Sequence, residues 1–154
     1  MIDKDRCIIR GSSAGGYTVL SALTKLTLFK TGACLYGIGD LQKLATDTHK
    51  FESKYLDTLI GDPLNQQEIY QQRSPINHID DIDCTVIFLQ GLKDKDVPPS
   101  QSQSMVDKLI QKNIAVEYVT FKDEGHGFKK PKNIENALTR ELLFYINVLS
   151  LNQQ

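Results

Sequence analysis

Four short apolar runs alternate with stretches of helical periodicity, and this alternation constrains the fold more than any other feature of the chain. The runs are residues 6–10 (RCIIR), 33–39 (ACLYGIG), 85–90 (TVIFLQ) and 115–121 (AVEYVTF). The first three are continuous or nearly so, as expected of strands covered on both faces. Residues 17–27 are apolar, contain good helix formers and follow a cluster of glycines. Residues 100–113 make the clearest helix, with Ser100 placed to cap it and Gln103 as the capping-box partner. Met105, Val106, Leu109 and Ile110 then fall on one face. A last helix is expected from Pro131, with Ile134, Leu138, Leu142, Tyr145 and Leu149 as its apolar stripe. Strand and helix in repeated alternation imply an α/β fold: a parallel sheet with flanking crossover helices. Residues 40–83 are a long polar excursion, with GDP and RSP turn signals and short helices.

Composition narrows the function. A chain of 154 residues, 40% hydrophobic and 24% charged, suits a single domain with its own core. A net charge of -1 supplies no basic field, which argues against nucleic acid as a partner. No apolar run is long enough to span a bilayer, and the opening MIDKDR does not read as a signal peptide. The expectation is a cytoplasmic chain without a membrane partner. Cys7, Cys34 and Cys84 lie in or beside apolar runs and form no CxxC pair, so buried free thiols are expected rather than a disulfide or a metal site.

The chemistry concentrates in residues 10–17, RGSSAGGY. Gly11-Ser12-Ser13-Ala14-Gly15 fits G-x-S-x-G and selects Ser13, because Ser12 would need a glycine where Arg10 stands. A serine at a sharp strand-to-helix turn has a strained backbone and an exposed hydroxyl. The residues two before and two after it must be small, since strand and helix pass close there, and Gly11 and Gly15 meet that need. The Ala14 N–H, at the helix start, can face an oxyanion. A phosphate-binding loop is excluded, since no Gly-Lys-Ser/Thr follows. A plain glycine-serine loop is the alternative reading of the motif alone.

A serine nucleophile needs a base and an acid that orients it. In a parallel sheet, functional groups gather beyond the carboxyl ends of the strands. His126, in DEGHGF after the last strand, qualifies; His78 precedes a strand and His49 lies in the excursion. Asp94 and Asp96, in QGLKDKDVPP, both follow the third strand, whereas Asp80, Asp81 and Asp83 precede it. Serine, aspartate and histidine then come in the chain order of the α/β-hydrolases.

With these residues in view, the chain resembles the C-terminal catalytic domain of the prolyl oligopeptidase family of serine peptidases, in its acylaminoacyl-peptidase or dipeptidyl-peptidase-like branch. The stretches that carry the resemblance are IIRGSSAGGYTVLSALT, DTHKFESKYLDTLIG, RSPINHID, VIFLQGLKDKDVPP and EGHGF. The family's acid lies in a G-x-x-D-x-x-V-P stretch that Gly91, Asp94, Val97 and Pro98 match, which prefers Asp94 to Asp96. The resemblance implies Ser13 as nucleophile, His126 as base, Asp94 as orienting acid and the Ala14 N–H as one oxyanion donor. It implies a short peptide or acyl substrate, with no metal or organic cofactor.

The resemblance also implies a deficit. A βαβ unit takes roughly 30 residues, so an eight-stranded hydrolase sheet needs on the order of 240. The chain is therefore expected to be one partial domain, the C-terminal half of the fold, without the upstream strands and the β-propeller. The second oxyanion donor would come from the upstream part. The first strand would become an open edge, and a homo-oligomer joined through it is expected. Two other functions remain open: an association module without activity, and a small carboxylesterase. Tyr17, Lys50 and Phe51 are candidates for the surroundings of a specificity pocket.

Overall fold

The computed structural model describes residues 3–47 and 53–150. Its centre is a sheet of four parallel strands in the order β1 (Ile8–Ser12), β2 (Thr31–Leu35), β3 (Thr85–Gly91) and β4 (Val116–Phe121). Each strand pairs with the next in sequence, with Arg10 beside Ala33, Ala33 beside Ile87 and Ile87 beside Glu117. Successive parallel strands require crossovers, and three helices supply them or follow them: α1 (Ala14–Leu23), α5 (Pro99–Gln111) and α6 (Pro131–Val148). Between β2 and β3 run the excursion helices α2 (Leu41–Asp47), α3 (Ser53–Leu59) and α4 (Gln67–Arg73).

The period-two alternation of the central strands feeds two cores. Val86 and Phe88 face α1 and α5, in a cluster with Val19, Leu20, Met105 and Leu109. Ile87 and Leu89 face α6, with Ala33, Leu35, Phe121 and Phe144. Because both faces of β3 are covered, its sequence is a continuous apolar run rather than an alternating one. A smaller cluster of Leu41, Leu44, Leu56 and Tyr70 holds the excursion together. The excursion is tied to the sheet by α5: the Gln101 side-chain oxygen accepts the N–H groups of Gly39 and Asp40 at 3.0 and 2.8 Å.

Several local expectations need correction. The first strand lies two residues later than expected and the second ends at Leu35, four residues early. The second ends there because Tyr36 turns to φ 37°, which no strand accommodates. The first helix begins at Ala14 rather than at residue 17, through the glycines. In α5, Pro98 occupies the cap position without a side-chain cap, and Gln103 donates to Asp107 instead. Ile110 is exposed, and Gln101 and Ser102 are buried in its place.

The stripe of α6 is also displaced. Leu138 and Leu142 are 56% and 58% exposed, whereas Ala137, Glu141 and Phe144 face the sheet. A glutamate is tolerated there because Arg10 of β1 donates to Glu141 Oε1 at 2.6 Å and the Tyr145 hydroxyl donates to the same oxygen at 2.7 Å.

The three cysteines are free. Burial pushes the Cys34 thiol up to about 12 and the Cys84 thiol up to about 11, so neither is a thiolate at neutral pH. Among the described residues, no helix is long and apolar enough to cross a membrane.

Candidate active site

Ser13 sits between β1 and α1 with φ 54° and ψ −120°, outside the regions open to an unstrained serine. Its N–H donates to the carbonyl of Leu35 at the end of β2, at 3.0 Å, and its own carbonyl accepts the N–H of Tyr17. The turn is therefore bonded on both sides. Sterics dictate its glycines. A Cβ on Gly11 would lie 2.3 Å from the Gly15 carbonyl oxygen, which no side chain can occupy. Gly15 itself faces open space: a Cβ there would meet nothing within 4 Å. The second close approach falls instead at Gly16, where a Cβ would lie 2.6 Å from the Cα of Gly37. Sequence reasoning named Gly15 and missed Gly16, because the pattern records which residue is small and not which contact demands it.

Asp94, the candidate acid, lies in the turn after β3. Asp94 is buried and its side chain is 0% exposed. Its Oδ1 accepts the N–H groups of Asp96 and Val97 at 3.0 and 2.9 Å. The side-chain amide of Gln90 lies 3.4 Å from Oδ2, bridges to the Gly91 and Val97 carbonyls, and is oriented by Ser102, which donates to its oxygen at 2.8 Å. Gln90 and Ser102 were not singled out from the sequence. A glutamine ending an apolar strand was the available signal.

The histidine comes from the loop after β4. His126 Nδ1 is 2.9 Å from Asp94 Oδ2, and Nε2 is 2.8 Å from Ser13 Oγ. Residues 113 positions apart in the chain are thus joined through one imidazole. With Nδ1–H donated to the carboxylate, Nε2 offers its lone pair to the hydroxyl, which is the tautomer a base requires. Glu124, almost fully buried, holds the loop in place: its carboxylate accepts the N–H groups of Lys129 and Lys130 at 3.0 and 2.9 Å and the amide of Asn133. Gly91 lets the loop approach, since a Cβ there would lie 2.4 Å from the Gly125 oxygen.

The remaining candidates lie elsewhere. Asp96 is exposed and contributes its backbone N–H to Asp94. The His78 ring lies against the Gln72 carbonyl at 2.8 Å and takes no part in the cluster around Ser13. His49, Lys50 and Phe51 lie outside the described residues. Asp94, Asp96 and His126 bring ligand-type atoms within 4.8 Å of one another. Both Asp94 oxygens and both imidazole nitrogens already have protein partners, which suits proton transfer rather than metal ligation. The Ala14 N–H stands in the first turn of α1, where backbone donors have no helical acceptor and the helix dipole favours negative charge. Beside it, Ala14, Tyr17, Ile38, Leu41, Leu56, Leu59, Ile60 and Arg73 line a mostly apolar cleft of about 220 Å³.

A parallel sheet flanked by helices, with a strained serine turn between its first strand and helix, defines an α/β-hydrolase fold. Residues 1–152 match the prolyl oligopeptidase family, and the chain belongs to that family. It is 33% identical over 148 residues to the dipeptidyl aminopeptidase BIII of Pseudoxanthomonas mexicana, covering 91% of this chain and 22% of that protein. A solved puromycin-hydrolysing peptidase of Mycobacterium tuberculosis superposes with a TM-score of 0.93 at 44% identity, covering 97% of this chain and 23% of that one. An acylaminoacyl peptidase solved in complex with Z-Gly-Gly-Phe-chloromethyl ketone superposes with a TM-score of 0.86 at 26% identity, covering 93% and 24%. The chain thus spans about a quarter or less of the length of these relatives.

Proposed function

We propose that this chain carries the catalytic residues of a serine peptidase that cleaves short peptides through an acyl-enzyme. The observation that supports it most is the single imidazole bridging Ser13 and Asp94 at 2.8 and 2.9 Å. Ser13 Oγ attacks the scissile carbonyl while His126 Nε2 takes its proton. Asp94 orients the ring and stabilises the imidazolium. The Ala14 N–H donates to the oxyanion of the tetrahedral intermediate. His126 then returns the proton to the leaving amine, and water, deprotonated by the same nitrogen, releases the acid from Ser13. The apolar cleft beside Ala14 suits an apolar side chain on the residue whose carbonyl is attacked. The phenylalanine of the peptide inhibitor bound to the acylaminoacyl peptidase agrees with that preference.

The same reading makes the chain one partial hydrolase domain in a reducing, cytoplasmic setting, supported by three free cysteines. It includes self-association through β1, which pairs on one side only among the described residues and leaves Ile8 exposed. Sedimentation at micromolar concentration is expected to show a dimer or larger species; a monodisperse monomer would remove that part. The chemical test is a fluorophosphonate with intact-mass detection. A single adduct is expected on Ser13 and none on Ser13→Ala. Folded wild-type protein that takes up no adduct would overturn the triad. Phenylalanyl and leucyl nitroanilides are expected to turn over faster than the glutamyl one.

A further inference from the structure

Two hydrogen bonds leave an imidazole one soft motion. The partners of Nδ1 and Nε2 fix the two nitrogens, but the ring can still rock about the axis that joins them. Something must pack against its side if the Nε2 lone pair is to stay aimed at Ser13 Oγ.

Tyr36 occupies that place. Its ring meets His126 with centroids 5.0 Å apart and planes at 68°, an edge-to-face contact. The tyrosine is itself wedged: it meets Phe128 at 5.4 Å and 80°, and Phe128 meets the core residue Phe121 at 4.6 Å. An aromatic chain thus runs from the core between the sheet and α6 to the imidazole. The backbone at Tyr36 departs from what its side chain prefers. With φ 37° it lies in the left-handed region, where glycine is unstrained and tyrosine is not. The neighbouring bonds impose that turn. The Leu35 carbonyl accepts the Ser13 N–H and the Tyr36 N–H donates to the Leu89 carbonyl at 2.8 Å, after which Gly37 passes against Gly16. One turn therefore closes the serine elbow on one side and throws the ring over the histidine on the other. Backbone strain of this kind concentrates where function needs a fixed geometry.

We propose that Tyr36 is a positioning residue for the base, acting through its ring on the orientation of His126. The proposal rests on the reading of Ser13, Asp94 and His126 as a triad. The phenol oxygen has no hydrogen-bond partner among the described residues, so the ring suffices and phenylalanine replaces it. The test uses Tyr36→Phe, Tyr36→Leu and Tyr36→Gly in the full chain, with thermal melts as the control for folding. Fluorophosphonate labelling of Ser13 is expected within about threefold of wild type for Phe, and about 10–100-fold slower for Leu and Gly, the scale of a misaligned catalytic group. The glycine variant separates positioning from backbone support, because it relieves the strained φ while removing the ring. In a His126→Ala background, Tyr36→Leu is expected to have no further effect on labelling, as coupling through the imidazole requires. Leucine and glycine variants that label like wild type would overturn the proposal, as would an equal slowing in the His126→Ala background. Nitrogen resonances of the His126 imidazole give a readout independent of labelling. One fixed tautomer is expected in wild type and Tyr36→Phe, and exchange-averaged signals in Tyr36→Leu. If wild-type Ser13 takes up no adduct, the triad reading fails, and these resonances still decide whether the ring fixes the histidine; unchanged resonances in Tyr36→Leu would overturn it.

Discussion

The acid turn and the histidine loop do the same job by opposite means. Asp94 holds its own turn: the carboxylate that faces His126 through Oδ2 also accepts two backbone N–H groups of that turn through Oδ1. His126 holds nothing of its loop. There, Glu124 binds the N–H groups of Lys129 and Lys130, Asn133 supports it, and Gly91 admits the backbone. The two segments are also tied to each other, since the Lys93 N–H donates to the Glu124 carbonyl at 2.8 Å. In the first segment, the side chain that meets His126 is also the scaffold of its turn. In the second, the placed side chain and its scaffold are separate residues, so the placement of His126 can be altered without touching His126.

That difference can be tested in order of effect. Asp94→Ala is expected to cost about 10⁴ in kcat and about 1–3 kcal/mol in stability, because two buried N–H groups lose their acceptor. Asp94→Asn keeps an acceptor oxygen, so it should lose the rate and keep most of the stability. Chemical denaturation beside labelling kinetics separates the two; equal stabilities for Ala and Asn would show that the carboxylate does not hold its turn.

Gly91→Ala forces the histidine loop away from the acid, since the new Cβ would sit 2.4 Å from the Gly125 oxygen. A displacement near 1 Å costs on the order of 10² in rate. The far-ultraviolet spectrum should stay close to wild type.

Glu124→Gln comes next, with a roughly tenfold loss of labelling rate and about 1–2 kcal/mol of stability. Its pH dependence carries a sign. Burial is the largest influence and pushes the Glu124 carboxyl up, but the donors from Asn133, Lys129 and Lys130 together outweigh it and hold the group below its ordinary value. A carboxyl lowered on folding stabilises the fold above its unfolded pKa of about 4.3 and loses that contribution as pH falls through the folded value. The Tm gap between wild type and Glu124→Gln is therefore expected to be full near neutrality and to close under more acid conditions; a gap that widens on acidification would reverse the sign. Asn133→Ala, which removes one of the Glu124 donors, should be the mildest, about 1 kcal/mol with little change in rate.

Legibility in the sequence followed the range of the interaction. The strand runs were visible because buried strands demand continuous apolar residues, and their ends blurred where Ser12 pairs with Leu35 and the Tyr36 N–H donates to the distant Leu89 carbonyl. The serine turn was visible because Gly11 meets a steric limit set a few residues away. Leu138 and Leu142 misled for the complementary reason: their spacing makes a good stripe, yet the sheet takes up Ala137, Glu141 and Phe144. Nothing near Glu141 in the chain announces that Arg10 will neutralise it from β1.

By itself, the sequence determined what short-range sterics and periodicity control: the order of strands and helices, the cramped turn at Ser13, and the end of the sheet where functional loops collect. Only the tertiary structure put Asp94, and not Asp96, against the His126 ring, brought that ring to Ser13 as well, and placed Tyr36 beside it. Those choices depend on which carbonyls and N–H groups meet after distant segments have packed, and no local pattern encodes that meeting.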